Sequence, residues 1–172
     1  MLESNGRIYM DKNETEHAGY IELKFGPRWK YISVVRAFIQ NFLAISFTDP
    51  TLADKIAMAV SELLENAVKY SSGNDDETSI SLWLNPENDG YKVSVTNTSS
   101  PESIASLQAN WANALEGDPL AAYIKKMQEA AVRTDSKSQL GIVRIRYETG
   151  AAMNLDVNGN QVTISLSSNF TV

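Results

Sequence analysis

The sequence predicts an α+β fold, a two-layer sandwich in which a mixed, mostly antiparallel sheet is covered by helices on one face. Two pairs of alternating segments, each joined by a turn rich in Asn, Asp and Gly, supply the antiparallel strands. Two consecutive helical stripes after a first strand supply the covering layer. Alternation along the strands leaves the opposite face of the sheet relatively polar.

Residues 1–18 are polar and weakly patterned and read as a tail or an added edge strand, ahead of a single domain over 19–172. From Tyr20 to Phe25 the chain alternates, with Ile21, Leu23 and Phe25 on one face, until Gly26-Pro27 breaks the strand. A helix follows, with a stripe of Tyr31, Val35, Phe38, Phe42 and Ile45. Asp49-Pro50 is an N-cap followed by proline at the first helical position, and Ser72-Gly73 closes this second helix. Its buried stripe is Leu52, Ile56, Val60, Leu63, Ala67 and Tyr70.

The first hairpin pairs Ile80, Leu82 and Leu84 with Tyr91, Val93 and Val95 through a turn at Asn88-Asp89-Gly90. The second pairs Met153, Leu155 and Val157 with Val162, Ile164 and Leu166, and its Asn158-Gly159 suits a type I′ turn. Between them, Ile104, Leu107, Trp111 and Leu115 predict one helix, and Asp118-Pro119 caps another containing Leu120, Ile124, Met127 and Ala131. With the polar stretch to Gln139 they form a lid over residues 99–139, after which a short helix opens near Gly141.

The net charge of -6 and the absence of a basic cluster argue against nucleic acid as the main partner, because phosphate backbones are bound through excess Lys and Arg. No cysteine is present for disulfides or thiolate metal sites, and the single histidine, His17, excludes a histidine-built metal centre. No run has the length and apolarity of a membrane span or a signal-peptide core, so the expected location is cytoplasmic, with no membrane partner.

Chemistry concentrates in Ser61-Glu62-Leu63-Leu64-Glu65-Asn66-Ala67-Val68-Lys69-Tyr70-Ser71. On a helix, Glu62, Asn66 and Lys69, spaced by four and three, project together beside the buried stripe, with Asn66 nearest its edge. A carboxylate, a carboxamide and an ammonium on one edge suit a metal and polyphosphate; the same pattern also suits an amphipathic helix with a solvated polar face.

The run resembles the N-box of the GHKL (Bergerat-fold) ATPase superfamily, which includes gyrase and the histidine kinases. The order of elements from Tyr20 to Leu166 is also similar to that family's histidine-kinase-like ATPase domain. The resemblance is strongest to the stand-alone bacterial anti-sigma factors and switch serine kinases. It implies ATP and Mg²⁺ as cofactors, Asn66 as an oxygen ligand to the metal, and Glu62 as the base that orients or deprotonates the attacking group. It further implies Lys69 on phosphate, and a partner that is a sigma factor, an anti-anti-sigma-type protein or another regulator. A histidine kinase would need an accessible phosphoacceptor in a helix, and His17 lies in an unpatterned polar segment.

The next family box, Asp-x-Gly-x-Gly, is replaced by Asn97-Thr98-Ser99-Ser100-Pro101. Period two places Asn97 on the face of Val93 and Val95, where the adenine-reading Asp is expected. Its amide oxygen still accepts a bond, without charge, and its NH₂ must face away from the adenine amine. The missing glycines restrict how closely backbone approaches a base. Equally, the segment reads as a polar turn into a helix starting near Pro101, with Ser100 as cap. Of the second glycine box, Gly141 remains, at a helix start whose N–H groups favour phosphate. Lys137 and Arg133 before it are cations for phosphate charge, or simply solvated.

Two functional classes follow. One is a Mg·ATP-binding regulator, with catalysis as an ATP-dependent serine/threonine kinase left open. The other is a pseudo-ATPase interaction module of the same fold. The retained N-box favours the first, and the lost glycine pattern the second.

Overall fold

The computed structural model describes residues 19–73, 76–85, 87–132 and 140–169. The tail expected over 1–18, with His17, lies outside the described residues. The order is β1 (Gly19–Phe25), α1 (Trp29–Ser46), α2 (Pro50–Lys69), β2 (Thr78–Asn85), β3 (Gly90–Thr98), α3 (Pro101–Leu115), α4 (Pro119–Val132), α5 (Leu140–Thr149), β4 (Ala152–Asn158) and β5 (Gln161–Ser168). The strands form one sheet in the order β1-β2-β3-β5-β4, and every pairing is antiparallel among the described residues.

Alternation decides which face is covered. Ile80, Leu82, Leu84, Tyr91, Val93, Val95, Val162, Ile164 and Leu166 are buried, and the edge residues Ile21, Leu23, Phe25, Met153, Leu155 and Val157 pack against them. The helices supply the other half of this core through Ile39, Leu43, Ile56, Val60, Leu63, Leu64 and Ala67. On the opposite sheet face, hydroxyls pair across strands: Ser94 with Ser165 and Thr96 with Thr163, each at 2.9 Å. In each pair one hydroxyl donates to the other, a cross-strand contact that adds to the ladder on this face.

Local chemistry fixes the helix ends. Asp49 accepts from Thr51 N at 2.8 Å with Pro50 in the first turn, which caps α2 as the sequence requires. The helix stops at Lys69, earlier than the expected Ser72-Gly73. The end of β3 draws the chain away: Ser71 bridges Ser99, and Ser72 N donates to Thr98 O at 3.0 Å. Tyr70 therefore caps α2 and is 38% exposed, instead of completing the buried stripe.

The expected stripe on α1 is also shifted. Ile32, Val35, Ile39 and Leu43 face inward, while Tyr31, Phe38 and Ile45 are exposed and Phe42 is half-buried. Both faces of α1 are apolar, so periodicity alone leaves its rotation open, and packing against α2 chooses it. The β4–β5 turn differs as well. Asn158 pairs with Gln161, leaving Gly159 and Asn160 at the centre, and only Gly159 has positive φ, 59°. That is the sign pattern of type II′, not the type I′ turn expected from Asn-Gly.

Candidate functional site

The helical layer leaves a cavity between α2, the ends of β3 and β5, and α3. Its floor is Leu63, Asn66, Ala67, Tyr70, Val95, Asn97, Val162 and Ile164; Ser103, Ser106, Leu107, Asn110, Trp111 and Ala114 of α3 form one wall. Lys126 of α4 and Gly141 and Ile142 of α5 complete it. The space open to the centres of water molecules is about 90 Å³, several times the roughly 10–15 Å³ that admits one water.

Three of the residues singled out in the sequence meet here: Asn66 from α2, Asn97 from β3 and Gly141 from α5. Asn97 is buried, and its amide is oriented by neighbours. Nδ2 donates to Ser99 Oγ at 2.9 Å and to Thr98 O at 3.3 Å, and Ser99 Oγ in turn donates to Tyr70 O at 2.9 Å. This relay ties the end of β3 to the cap of α2 and occupies both amide protons. Among the described residues, Oδ1 accepts no hydrogen bond, so the acceptor side of Asn97 is the one left for the cavity.

The segment that replaces the glycine box passes from strand directly into helix. Ser100 caps α3, accepting from Ser103 N at 3.3 Å, with Pro101 in the first turn. The cap and the cavity-lining Asn97 coexist.

Gly141 brings α5 close to α2. A Cβ at this position would lie 3.0 Å from Glu62 Oε2 and 3.4 Å from Asn66 Nδ2, so glycine is what the approach of the two helices permits. Glu62 stands next to Gly141 yet does not line this cavity. It lines a separate polar groove with Arg36, Gln40, Asp54, Met58, Ser61, Glu65 and Arg144. There Arg144 Nη1 donates to Glu62 Oε1 at 3.0 Å, and Arg36 Nη2 to Glu65 Oε1 at 2.7 Å. Arg144 Nε is buried without an acceptor among the described residues.

Lys69 is exposed, its ammonium 5.4 Å from the centre of the Tyr70 ring, and it is absent from the cavity lining. Lys137 and Arg133 lie outside the described residues. Two cations escaped the sequence reading. Arg144 lies one helical turn after Gly141, and that spacing turns it toward α2. Lys126 lies one turn after Tyr123, which stacks on Tyr147 of α5 with ring centres 5.3 Å apart. Both spacings are visible in the sequence, but they gain meaning only once α5 is placed between α2 and α4.

The donor set suits the cofactors that the N-box pattern implies. Mg²⁺ takes one or two protein oxygens and fills its remaining positions with water and phosphate oxygens, so a single carboxamide at Asn66 is adequate. Among the described residues no three His, Cys, Asp or Glu gather into a metal site of their own. A neutral acceptor at Asn97 suits an exocyclic amine, and Trp111 and Tyr70 line the same cavity.

No curated protein matches the sequence. Among solved structures, a chain in the crystal structure of the SiaB-SiaC complex from Pseudomonas aeruginosa superposes with a TM-score of 0.63, covering 85% of this chain and 88% of that one at 20% identity. At that identity the likeness is one of fold. No helix among the described residues is long and apolar enough to cross a membrane. The sequence model of the histidine kinase-like ATPase domain matches residues 25–164, which run from the last residue of β1 into β5 and include every wall of the cavity. This chain belongs to the histidine kinase-like ATPase domain family.

Proposed function

We propose that this chain is a regulator that binds Mg·ATP in the cavity beside α3 and acts through a protein partner, in the manner of anti-sigma factors and switch serine kinases. One observation carries the reading: Asn66, Asn97 and Gly141, from three separate segments, line the same cavity. In this reading Asn66 gives an oxygen to Mg²⁺, Asn97 Oδ1 accepts from the adenine amine, and Gly141 lets backbone approach phosphate. Lys69 and Lys137 balance phosphate charge. The family supports ATP as the nucleotide. The fold's likeness to a chain crystallised in a two-protein complex supports a protein partner, whether a sigma factor, an anti-anti-sigma-type protein or another regulator. The protein would act in the cytoplasm.

Phosphotransfer to a partner would need Glu62 as the base for a Ser or Thr hydroxyl. Oε1 is engaged by Arg144, so the hydroxyl proton would pass to Oε2, the oxygen beside Gly141. A second reading, an interaction module without nucleotide, is favoured by the Ser100-capped junction that replaces the glycine pattern.

Calorimetric titration with ATP and ADP, with and without Mg²⁺, separates the two. Mg²⁺-dependent heat that disappears in Asn66→Ala supports the regulator. A folded protein that gives no heat with millimolar Mg·ATP, yet binds a partner, is the interaction module.

A further inference from the structure

The cavity contains a cation that neither the N-box nor the glycine box supplies. Among the described residues lining it, Lys126 is the one charged side chain; the rest are apolar or neutral polar. It is 25% exposed, and its ammonium pairs with Glu129 Oε2 at 2.8 Å on the same face of α4. The stack of Tyr123 on Tyr147 fixes that face toward α5, the helix that also brings Gly141 to the cavity. Paired with Glu129 the ammonium is neutralised, but among the described residues no carboxylate lines the cavity itself. An anionic group that entered and displaced Glu129 would meet the one cation of that lining.

We propose that Lys126 is the residue that fixes the anionic end of the ligand, the polyphosphate of a nucleoside di- or triphosphate, and that Glu129 competes with the ligand for it. The proposal rests on the nucleotide reading above and adds to it a binding residue and a regulating one. Before binding, Lys126 is held by Glu129. When phosphate enters, the ammonium exchanges the carboxylate for phosphate oxygens, and the displaced Glu129 limits the gain. Removing the competitor should therefore tighten binding, whereas removing the cation should weaken it.

The test titrates Mg·ATP and adenosine into the full chain and into Lys126→Met, Lys126→Arg and Glu129→Gln, each checked for folding by circular dichroism. A charge-assisted contact predicts that Lys126→Met loses about tenfold or more in ATP affinity with adenosine affinity unchanged. Lys126→Arg should retain most of the ATP affinity, and Glu129→Gln should raise it. Folded Lys126→Met with unaltered ATP affinity, in a protein whose ATP binding is lost in Asn66→Ala, overturns the assignment of Lys126 and leaves the nucleotide reading standing. Equal losses for ATP and adenosine also overturn it, because Lys126 would then support the cavity wall rather than meet phosphate. Absence of ATP binding in the unaltered protein overturns the nucleotide reading, and this proposal with it.

Discussion

Arg144 Nη1 donates to Glu62 Oε1 at 3.0 Å, linking α5 to the turn of α2 that precedes Asn66. The pair occupies the rim between two recesses: Glu62 and Arg144 line the polar groove, and their neighbours Gly141 and Asn66 line the cavity. A base committed to an arginine differs from one free in water, because the guanidinium fixes the direction of one carboxylate oxygen and leaves the other to act.

Glu62→Gln tests the base directly. The pair is partly exposed, with side chains 40% and 26% accessible, so its loss should cost at most about 1 kcal/mol of stability. If Glu62 is the base, transfer of phosphate to the partner falls by about 10²-fold or more while ATP affinity is preserved. Radiolabel transfer and calorimetry on the same preparation check this. Parallel losses in both would assign Glu62 to holding the nucleotide instead.

Gly141→Ala places a methyl group 3.0 Å from Glu62 Oε2 and 3.4 Å from Asn66 Nδ2. Either both side chains shift or α5 retreats from α2. The expected result is a destabilisation of about 1–3 kcal/mol, the usual cost of overpacking, together with weaker nucleotide binding. Urea denaturation and titration measure the two effects separately, and an unchanged unfolding midpoint would mean the helices separate freely.

Asn97→Asp restores the family's adenine reader but breaks the relay. A carboxylate cannot donate to Ser99 Oγ, and it faces Thr98 O, now 3.3 Å from Nδ2, as a second acceptor. The single Ser99 proton cannot serve both the new carboxylate and Tyr70 O. Stability should drop by about 1–3 kcal/mol, and the melting temperature by roughly 2–4 °C for each of these, while ATP affinity rises through the charged acceptor. Differential scanning calorimetry with and without ATP reads both signs.

Tyr91 is fully buried at the start of β3, and burial pushes its phenol above the ordinary value of 10.0, partly offset by a hydrogen bond with Thr149. The fold thus prefers the neutral phenol. Its stabilisation is complete below pH 10.0 and is lost as pH rises from there through the folded-state value. Urea midpoints followed from neutral pH into this alkaline range should fall, and should fall less steeply in Tyr91→Phe.

Much of the fold was legible because its signals are local. The turn residues at Asn88-Asp89-Gly90, the Asp49-Pro50 cap and the Ser100 cap each act within a few residues, and the structure has all three elements. The rotation of α1 was not legible, since Ile32, Ile39 and Leu43 compete with Tyr31, Phe38 and Ile45 and only contact with α2 decides. The site divides in the same way. Asn66, Asn97 and Gly141 follow from motif spacing, whereas the pairing of Glu62 with Arg144 joins positions far apart in the chain. Lys126 was hidden because α4 buries no residue fully, so its sequence looks like an ordinary exposed helix.

Thr98 and Gln161 lie opposite each other in the β3–β5 ladder, yet α3, α4, α5 and β4 all run between them. The cavity thus has three sources: Leu63, Asn66, Ala67 and Tyr70 come from α2 and its cap, Val95, Asn97, Val162 and Ile164 from the ladder, and Trp111, Asn110 and Lys126 from the loop it closes. Loop-closure entropy grows only logarithmically, about 0.6 kcal/mol for each doubling of length. Insertions or deletions around α3 and α4 should therefore leave the ladder intact while reshaping what the cavity admits. Pairing of β3 with β5 also waits on the longest separation in the sheet, which makes it the expected slow step of folding. Drift in ligand preference and drift in stability are thereby assigned to different stretches of the same chain.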